Sequence, residues 1–95
     1  MLRISYKKIL ISIIRKYLSE CKIYLFGSRA RKTHSVGSDV DLAVDAGQKV
    51  DFRILRKIKD DIEESNIPYF VDIIDLHNVS EEFKESIEKD KISLE

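Results

Sequence analysis

The sequence predicts an α/β (or α+β) protein: a small mixed sheet of three to four strands with helices packed on it. Three observations carry this. Two stretches, at 4–21 and 49–65, repeat apolar residues with the 3.6 period of an amphipathic helix. Three shorter apolar runs, at 22–26, 39–44 and 69–76, have the length and the β-branched or aromatic content of strands. The two kinds alternate along the chain and a last helix follows, the pattern of a sheet layered with helices. No repeat, low-complexity tract or linker divides the 95 residues, so a single domain over 1–95 is expected.

In the first helix, Tyr6, Leu10, Ile13, Ile14 and Tyr17 form one stripe, and Ile4, Ile11 and Leu18 a second line beside it. So wide an apolar surface fits either a thick core or an interface. Lys22 to Phe26 is a short buried strand ended by Gly27, and Ser28 can cap a single helical turn behind it. A polar loop at 33–38 leads into 39–44, where Asp39, Asp41 and Ala43 point one way and Val40, Leu42 and Val44 the other. In the second helix Phe52, Leu55, Ile58 and Ile62 make the apolar stripe. Its basic residues Arg53, Arg56, Lys57 and Lys59 precede Asp60, Asp61, Glu63 and Glu64, against the macrodipole preference. That order suits a solvated face, or a basic half turned toward something anionic. Asn66-Ile67-Pro68 breaks the helix, and 69–76 is a third buried-type strand. Ser80 caps the last helix, with Glu81 and Glu82 in its first turn and Phe83 and Ile87 facing inward.

The composition is 43% hydrophobic and 36% charged, that of a folded domain with a heavily charged surface. Seventeen basic and seventeen acidic residues cancel, which gives no support to a general nucleic-acid-binding protein. A zero net charge also leaves little repulsion between copies, which suits a subunit with a partner. One cysteine, Cys21, excludes an internal disulfide and reads as a small buried thiol at a helix–strand junction. Lys7, Lys8, Arg15 and Lys16 interrupt the apolar residues of the N-terminus, so no signal-peptide core or spanning helix is expected, and the chain is expected to be cytoplasmic.

The chemistry lies between residues 27 and 72. Asp39 and Asp41, two apart on a strand, share one face and repel unless a cation lies between them. Magnesium fits, since it takes one or two carboxylates and fills its other positions with water and substrate phosphates. Asp72 interrupts an apolar strand, where a carboxylate is costly unless paired or bound to metal. If its strand lies beside that of Asp39 and Asp41, the three form a cluster able to hold two metal ions, and Asp72 helps activate an acceptor hydroxyl. Asp75 is the competing candidate, on the opposite face. Gly27 lets the backbone approach a ligand, and the turn after it offers N–H groups and the Ser28 hydroxyl to phosphate oxygens. Arg29 is near enough for an anion contact, while Arg31 fits such a contact or an ordinary surface position. His34 and His77 read as loop residues, and the tyrosines as packing residues.

Gly27-Ser28-Arg29-Ala30-Arg31, followed by Ser38-Asp39-Val40-Asp41-Leu42, resembles the signature of the DNA polymerase beta-like nucleotidyltransferase superfamily. More narrowly it resembles the minimal nucleotidyltransferase (MNT) group. Val71 to Leu76 is similar to the strand that carries the third acid of that family, which puts that role on Asp72. Lys32 stands where many members have glycine, and Val36-Gly37 where a proline–acid pair is common. The resemblance implies a polymerase beta-like fold. It implies Asp39, Asp41 and Asp72 as catalytic and metal-binding residues, with Gly27, Ser28, Arg29, Arg31 and Ser38 on the nucleotide. It further implies magnesium, two ions, and transfer of AMP from ATP to a hydroxyl. The implied acceptor is a tyrosine of a HEPN-domain toxin for which the chain is the antitoxin, in a hetero-oligomer or with a second copy. A small-molecule acceptor and neutralisation by binding alone are the alternatives.

Overall fold

A computed structural model of the protein describes residues 3–30 and 39–95. Its first helix, α1 (Ile4–Tyr17), buries Leu10 and Ile14 completely. It ends four residues earlier than expected: Leu18 N–H closes the last turn on Ile14, and the Arg15 guanidinium reaches past the end to the Cys21 carbonyl at 2.6 Å. Arg15 also pairs with Glu95, tying the C-terminal residues to the end of α1. Cys21 is half-buried, and burial pushes its thiol up from the ordinary value. Ile11, Ile13 and Leu18 pack against the core, so a thick core accounts for most of the broad apolar surface, and only Ile4, at the start, stands 70% exposed.

Strands β1 (Lys22–Phe26) and β2 (Val40–Asp45) pair antiparallel, Phe26 opposite Asp41. Helix α2 (Phe52–Glu63) then crosses over, and β3 (Val71–Asp75) returns parallel to β2. Helix α3 (Glu81–Asp90) follows, and β4 (Ile92–Ser93) adds antiparallel to β1, which gives the order β3-β2-β1-β4. The sheet of three to four strands thus has four, but the place of β4 was not readable, because two residues carry no period. Beside it, Leu94 enters the core and donates its N–H to Ile23 O at 2.9 Å.

Asp51 sets the start of α2. Its carboxylate accepts the Arg53 N–H at 2.9 Å as an N-cap, three residues later than the periodicity implied. Phe52 therefore falls in the first turn and is 76% exposed, and the inward stripe begins at Leu55 and deepens at Ile58 and Ile62. The reversed charge order of α2 is partly explained by its neighbours. Asp61 accepts from Tyr17 Oη at 2.6 Å and from Lys16 Nζ at 3.2 Å, which joins α2 to α1. The N-cap of α3 is Ser80, as expected, accepting the Phe83 N–H at 3.2 Å. Among the described residues, no helix is long and apolar enough to cross a membrane.

The two sheet faces differ. On one, Leu10, Ile14, Ile58 and Ile62 of α1 and α2 pack on Ile23, Leu25, Val40, Leu42, Val44 and Ile73. Each fully buried Leu or Ile contributes about 1.5–3 kcal/mol. On the other, Ile87 packs with Ala43 and Leu76, while Phe83, 42% exposed, meets Phe26 edge-on at 6.0 Å. Helix α3 thus covers this face at Ala43 and as far as Phe26, the last residue of β1, while Asp72, with half of its side chain exposed, lies outside that cover.

Two carboxylates, Asp45 and Asp75, hold the end of the sheet where β2 and β3 stop. Asp75, 3% exposed, accepts the Val50 N–H at 2.7 Å and the His77 N–H at 2.9 Å. Removing it strands buried donors, so Asp75→Ala is expected to cost about 1–3 kcal/mol in urea denaturation. Asp45 accepts from Gly47 N–H at 2.9 Å and meets His77 Nε2 at 2.6 Å. Those bonds, the Gly47 one foremost, hold its carboxyl below the ordinary 3.8. Its contribution is therefore complete above pH 3.8 and is lost as pH falls through the lowered folded value. Asp45→Asn is expected to flatten the acid limb of a stability–pH profile while leaving neutral-pH activity unchanged.

Candidate active site

At the other end of the sheet β1 stops and β2 and β3 begin. Val40, Leu42 and Val44 of β2 are each fully buried on the α1–α2 face. The strand's period of two therefore turns Asp41 to the other face, and Asp39, just before the strand, belongs to the same set. A slip of one residue would drive both carboxylates into the core, so the burial of Val40 and Leu42 fixes where the acids point. Asp41 is the register partner of Asp72 on β3, and partners across a parallel pair share a face. Asp75, next to Val44 in register, falls on the other face and is occupied by Val50 and His77.

The turn at 27–30 approaches Asp41. Gly27 has φ +75°, and a Cβ placed there would lie 2.6 Å from Asp41 Oδ2. Glycine is thus required twice, for its left-handed backbone and for the space that Asp41 occupies. Ser28 follows it, half-buried. Arg29 is not an exposed anion contact: it is 4% exposed, with its guanidinium 4.4 Å from the centroid of the Tyr69 ring. Arg31 and Ser38 lie outside the described residues, as do His34, Lys32 and Val36-Gly37.

Asp72 is half-exposed. Its Oδ1 accepts the Ile73 N–H at 3.0 Å and lies 3.5 Å from Lys59 Nζ. Sequence reasoning did not single out Lys59, although the basic half of α2 was the available signal: its anionic neighbour is a carboxylate of the same chain. So exposed a pair is worth about 0–1 kcal/mol, too little to hold Asp72 against a competing cation. Beside Asp72 a cleft of about 230 Å³ opens between α2 and the approach to β3, walled by Ile62, Ile67, Tyr69 and Phe70. A larger cleft of about 520 Å³ lies at the opposite end of β1 and β2, beside Arg15, Cys21 and Asp45, away from these acids.

The three-carboxylate cluster expected from the sequence is not preassembled. Among the described residues, no three His, Cys, Asp or Glu side chains come together as a metal cage. What the register brings together is a pair, Asp41 and Asp72, with Asp39 exposed at the rim. The donors are all carboxylate oxygens, and such a set still fits magnesium, which keeps positions for water and phosphate oxygens. Gly27→Ala tests this geometry: both the backbone conformation and the seat of Asp41 are disturbed, and a loss of about 1–2 kcal/mol is expected in chemical denaturation. Magnesium-dependent nucleotide binding should weaken at temperatures where the variant remains folded.

The comparisons with known proteins give the family and the fold. Residues 8–94 match the family model described as polymerase beta, nucleotidyltransferase. The chain is 32% identical over 78 residues to a probable protein adenylyltransferase MntA of Haemophilus influenzae, covering 82% of this chain and 68% of the relative. Among solved structures, it resembles a chain of a toxin–antitoxin crystal structure with AMP-PNP, with TM-score 0.79 and 24% identity, over 94% of this chain and 72% of the other. A complex of a tri-AMPylated Shewanella oneidensis HEPN toxin with its MNT antitoxin is similar at TM-score 0.64 and 22% identity, over 94% and 68% of the chains. With the family model spanning nearly the whole sequence and Gly27 set against the Asp41 carboxylate of β2, the chain belongs to the polymerase beta nucleotidyltransferase family.

Proposed function

We propose that this nucleotidyltransferase moves AMP from ATP to a hydroxyl of a partner protein, a tyrosine of a HEPN toxin, and acts in the cytoplasm as the antitoxin of that pair. The observation that carries the reading is the register of Asp41 with Asp72 on one face, beside a glycine turn that only Gly27 can make. The MntA relative is a probable protein adenylyltransferase, and the fold neighbours include an antitoxin in complex with an AMPylated HEPN toxin, which supports both acceptor and partner.

The residues divide the work. The N–H groups after Gly27, with the Ser28 hydroxyl, hold phosphate oxygens, as backbone donors at turns and helix starts do. Arg31 and Ser38 are assigned to the nucleotide as well, and Arg29 serves it from within the wall of the site. Asp39, Asp41 and Asp72 would hold magnesium, two ions, which when bound neutralises the charge of the triphosphate and of the displaced group. The acceptor oxygen attacks the α-phosphorus. A bond from phosphorus to that oxygen forms, the bond to the bridging oxygen of the β-phosphate breaks, and pyrophosphate leaves. Asp72 takes the hydroxyl proton. Most of the acceleration comes from holding the groups in line in a neutralised site, because phosphoryl transfer asks little else of a protein.

The test uses α-labelled ATP, magnesium and the HEPN protein of the neighbouring reading frame. Wild type should label the partner. Asp41→Asn and Asp72→Asn should each lose activity by about 10²–10⁴-fold, with unchanged denaturation midpoints because both side chains are partly exposed. Neutralisation of the toxin by Asp39→Ala/Asp41→Ala, with no label on any partner from the wild type, would instead establish an antitoxin that works by binding.

A further inference from the structure

Three segments meet at the carboxylates, and each pair of them must be held together by something. The 27–30 turn touches β2 through the seat of Asp41 against Gly27. The start of β2 is bonded to the approach to β3, with Val40 N–H donating to Phe70 O at 2.9 Å. The third side of the triangle, from the turn to the approach to β3, has no strand ladder, since the β1–β2 pairing ends at Phe26 and β3 is not adjacent to β1. It is closed by side chains. The Arg29 guanidinium lies 4.4 Å from the centroid of Tyr69, three residues before Asp72, and the Tyr69 ring is met edge-on by Tyr6 of α1 at 5.7 Å and 87°.

We propose that Tyr69 is a positioning residue for the nucleotide site, acting through Arg29 to hold the phosphate-facing turn at a fixed distance from Asp72. A guanidinium only 4% exposed is costly unless its charge is met, and the face of an aromatic ring meets it best when desolvated. Tyr6 braces the ring from the first turns of α1, so the clamp is referred to the packed core. A flat, forked cation stacked on a flat ring fixes direction as well as distance, which an ammonium cannot do. Without the clamp the turn keeps its glycine and its N–H groups, but their spacing from the acid on β3 is no longer set.

The proposal rests on the nucleotide-site reading above, and the experiment separates the two. The full chain is titrated calorimetrically with magnesium and AMP-PNP, in wild type, Tyr69→Phe, Tyr69→Leu, Arg29→Lys and the double variant Tyr69→Leu/Arg29→Lys. Leu94→Ala, a core truncation remote from the carboxylates, serves as a stability control. Tyr69→Phe keeps the ring and should bind within about twofold of wild type. Tyr69→Leu and Arg29→Lys should each weaken binding about tenfold, with the double variant no worse than Arg29→Lys, in which the contact is already broken. Leu94→Ala should lose stability and keep its affinity. Wild-type affinity in Tyr69→Leu, additive losses in the double variant, or an equal loss in Leu94→Ala would each overturn the clamp while leaving the nucleotide site standing. No binding by the wild type would overturn the nucleotide site, and the clamp with it. Should Tyr69→Leu not fold, Tyr6→Leu, which withdraws the brace from the ring and leaves Arg29 in place, is measured against Leu94→Ala instead: weakened binding is expected, and wild-type affinity overturns the clamp.

Discussion

The register of β2 is the constraint on which the rest depends. This strand is central: it pairs antiparallel with β1 on one side and parallel with β3 on the other. Val40, Leu42 and Val44 are driven into the core by α1 and α2, and that burial is worth far more than any single contact in the site. Once they are inside, Asp41 must be outside, opposite Phe26 and Asp72. Two acidic residues then occupy paired positions on strands about 4.8 Å apart, a placement the fold tolerates because the hydrophobic face is so strongly determined. The site is therefore a consequence of core packing on the reverse side of the same strand.

Much of this could be read from residues. Alternation in Val40–Asp45 gave both the strand and the face of its acids, and an acid in the middle of Val71–Asp75 marked Asp72. What stayed hidden has a common physical cause: it depends on distant partners. The start of α2 turns on Asp51 folding back onto Arg53, which competes with a period that seemed to begin at Lys49. Strand β4 exists only because β1 offers it a free edge. Arg29, in a stretch rich in basic residues, reads as an anion contact, and only the tertiary placement of Tyr69 shows that its guanidinium is turned inward. Asp72 and Asp75 both interrupt an apolar run. Period separates their faces, but only the N–H groups of Val50 and His77 reveal that Asp75 is a structural carboxylate.

The uneven cover of the sheet explains how so small a chain can fold and keep a site. One face is fully packed and supplies most of the apolar burial. The other is covered only where Ile87 and Phe83 reach Ala43 and Phe26. Extending that cover across the start of β3 would bury more surface, but it would also seal Asp72 from a nucleotide. Phe70, 67% exposed beside Asp72, belongs to the same compromise, since an apolar group left in water near the site costs stability that a packed one would add.

Lys59 shows how that compromise is kept reversible. Two acids brought together by register need a cation nearby, and a strong internal one would compete with magnesium. The ammonium of Lys59 reaches Asp72 from α2 at 3.5 Å while both side chains remain substantially exposed, so solvent screens most of the attraction. An arginine held there in a bidentate fork would neutralise Asp72 more firmly and bind it away from an incoming ion. The chain instead keeps its one buried guanidinium, Arg29 among the described residues, turned to an aromatic ring. Strong cationic contacts are thus used where geometry must be fixed, and weak ones where a carboxylate has to stay available.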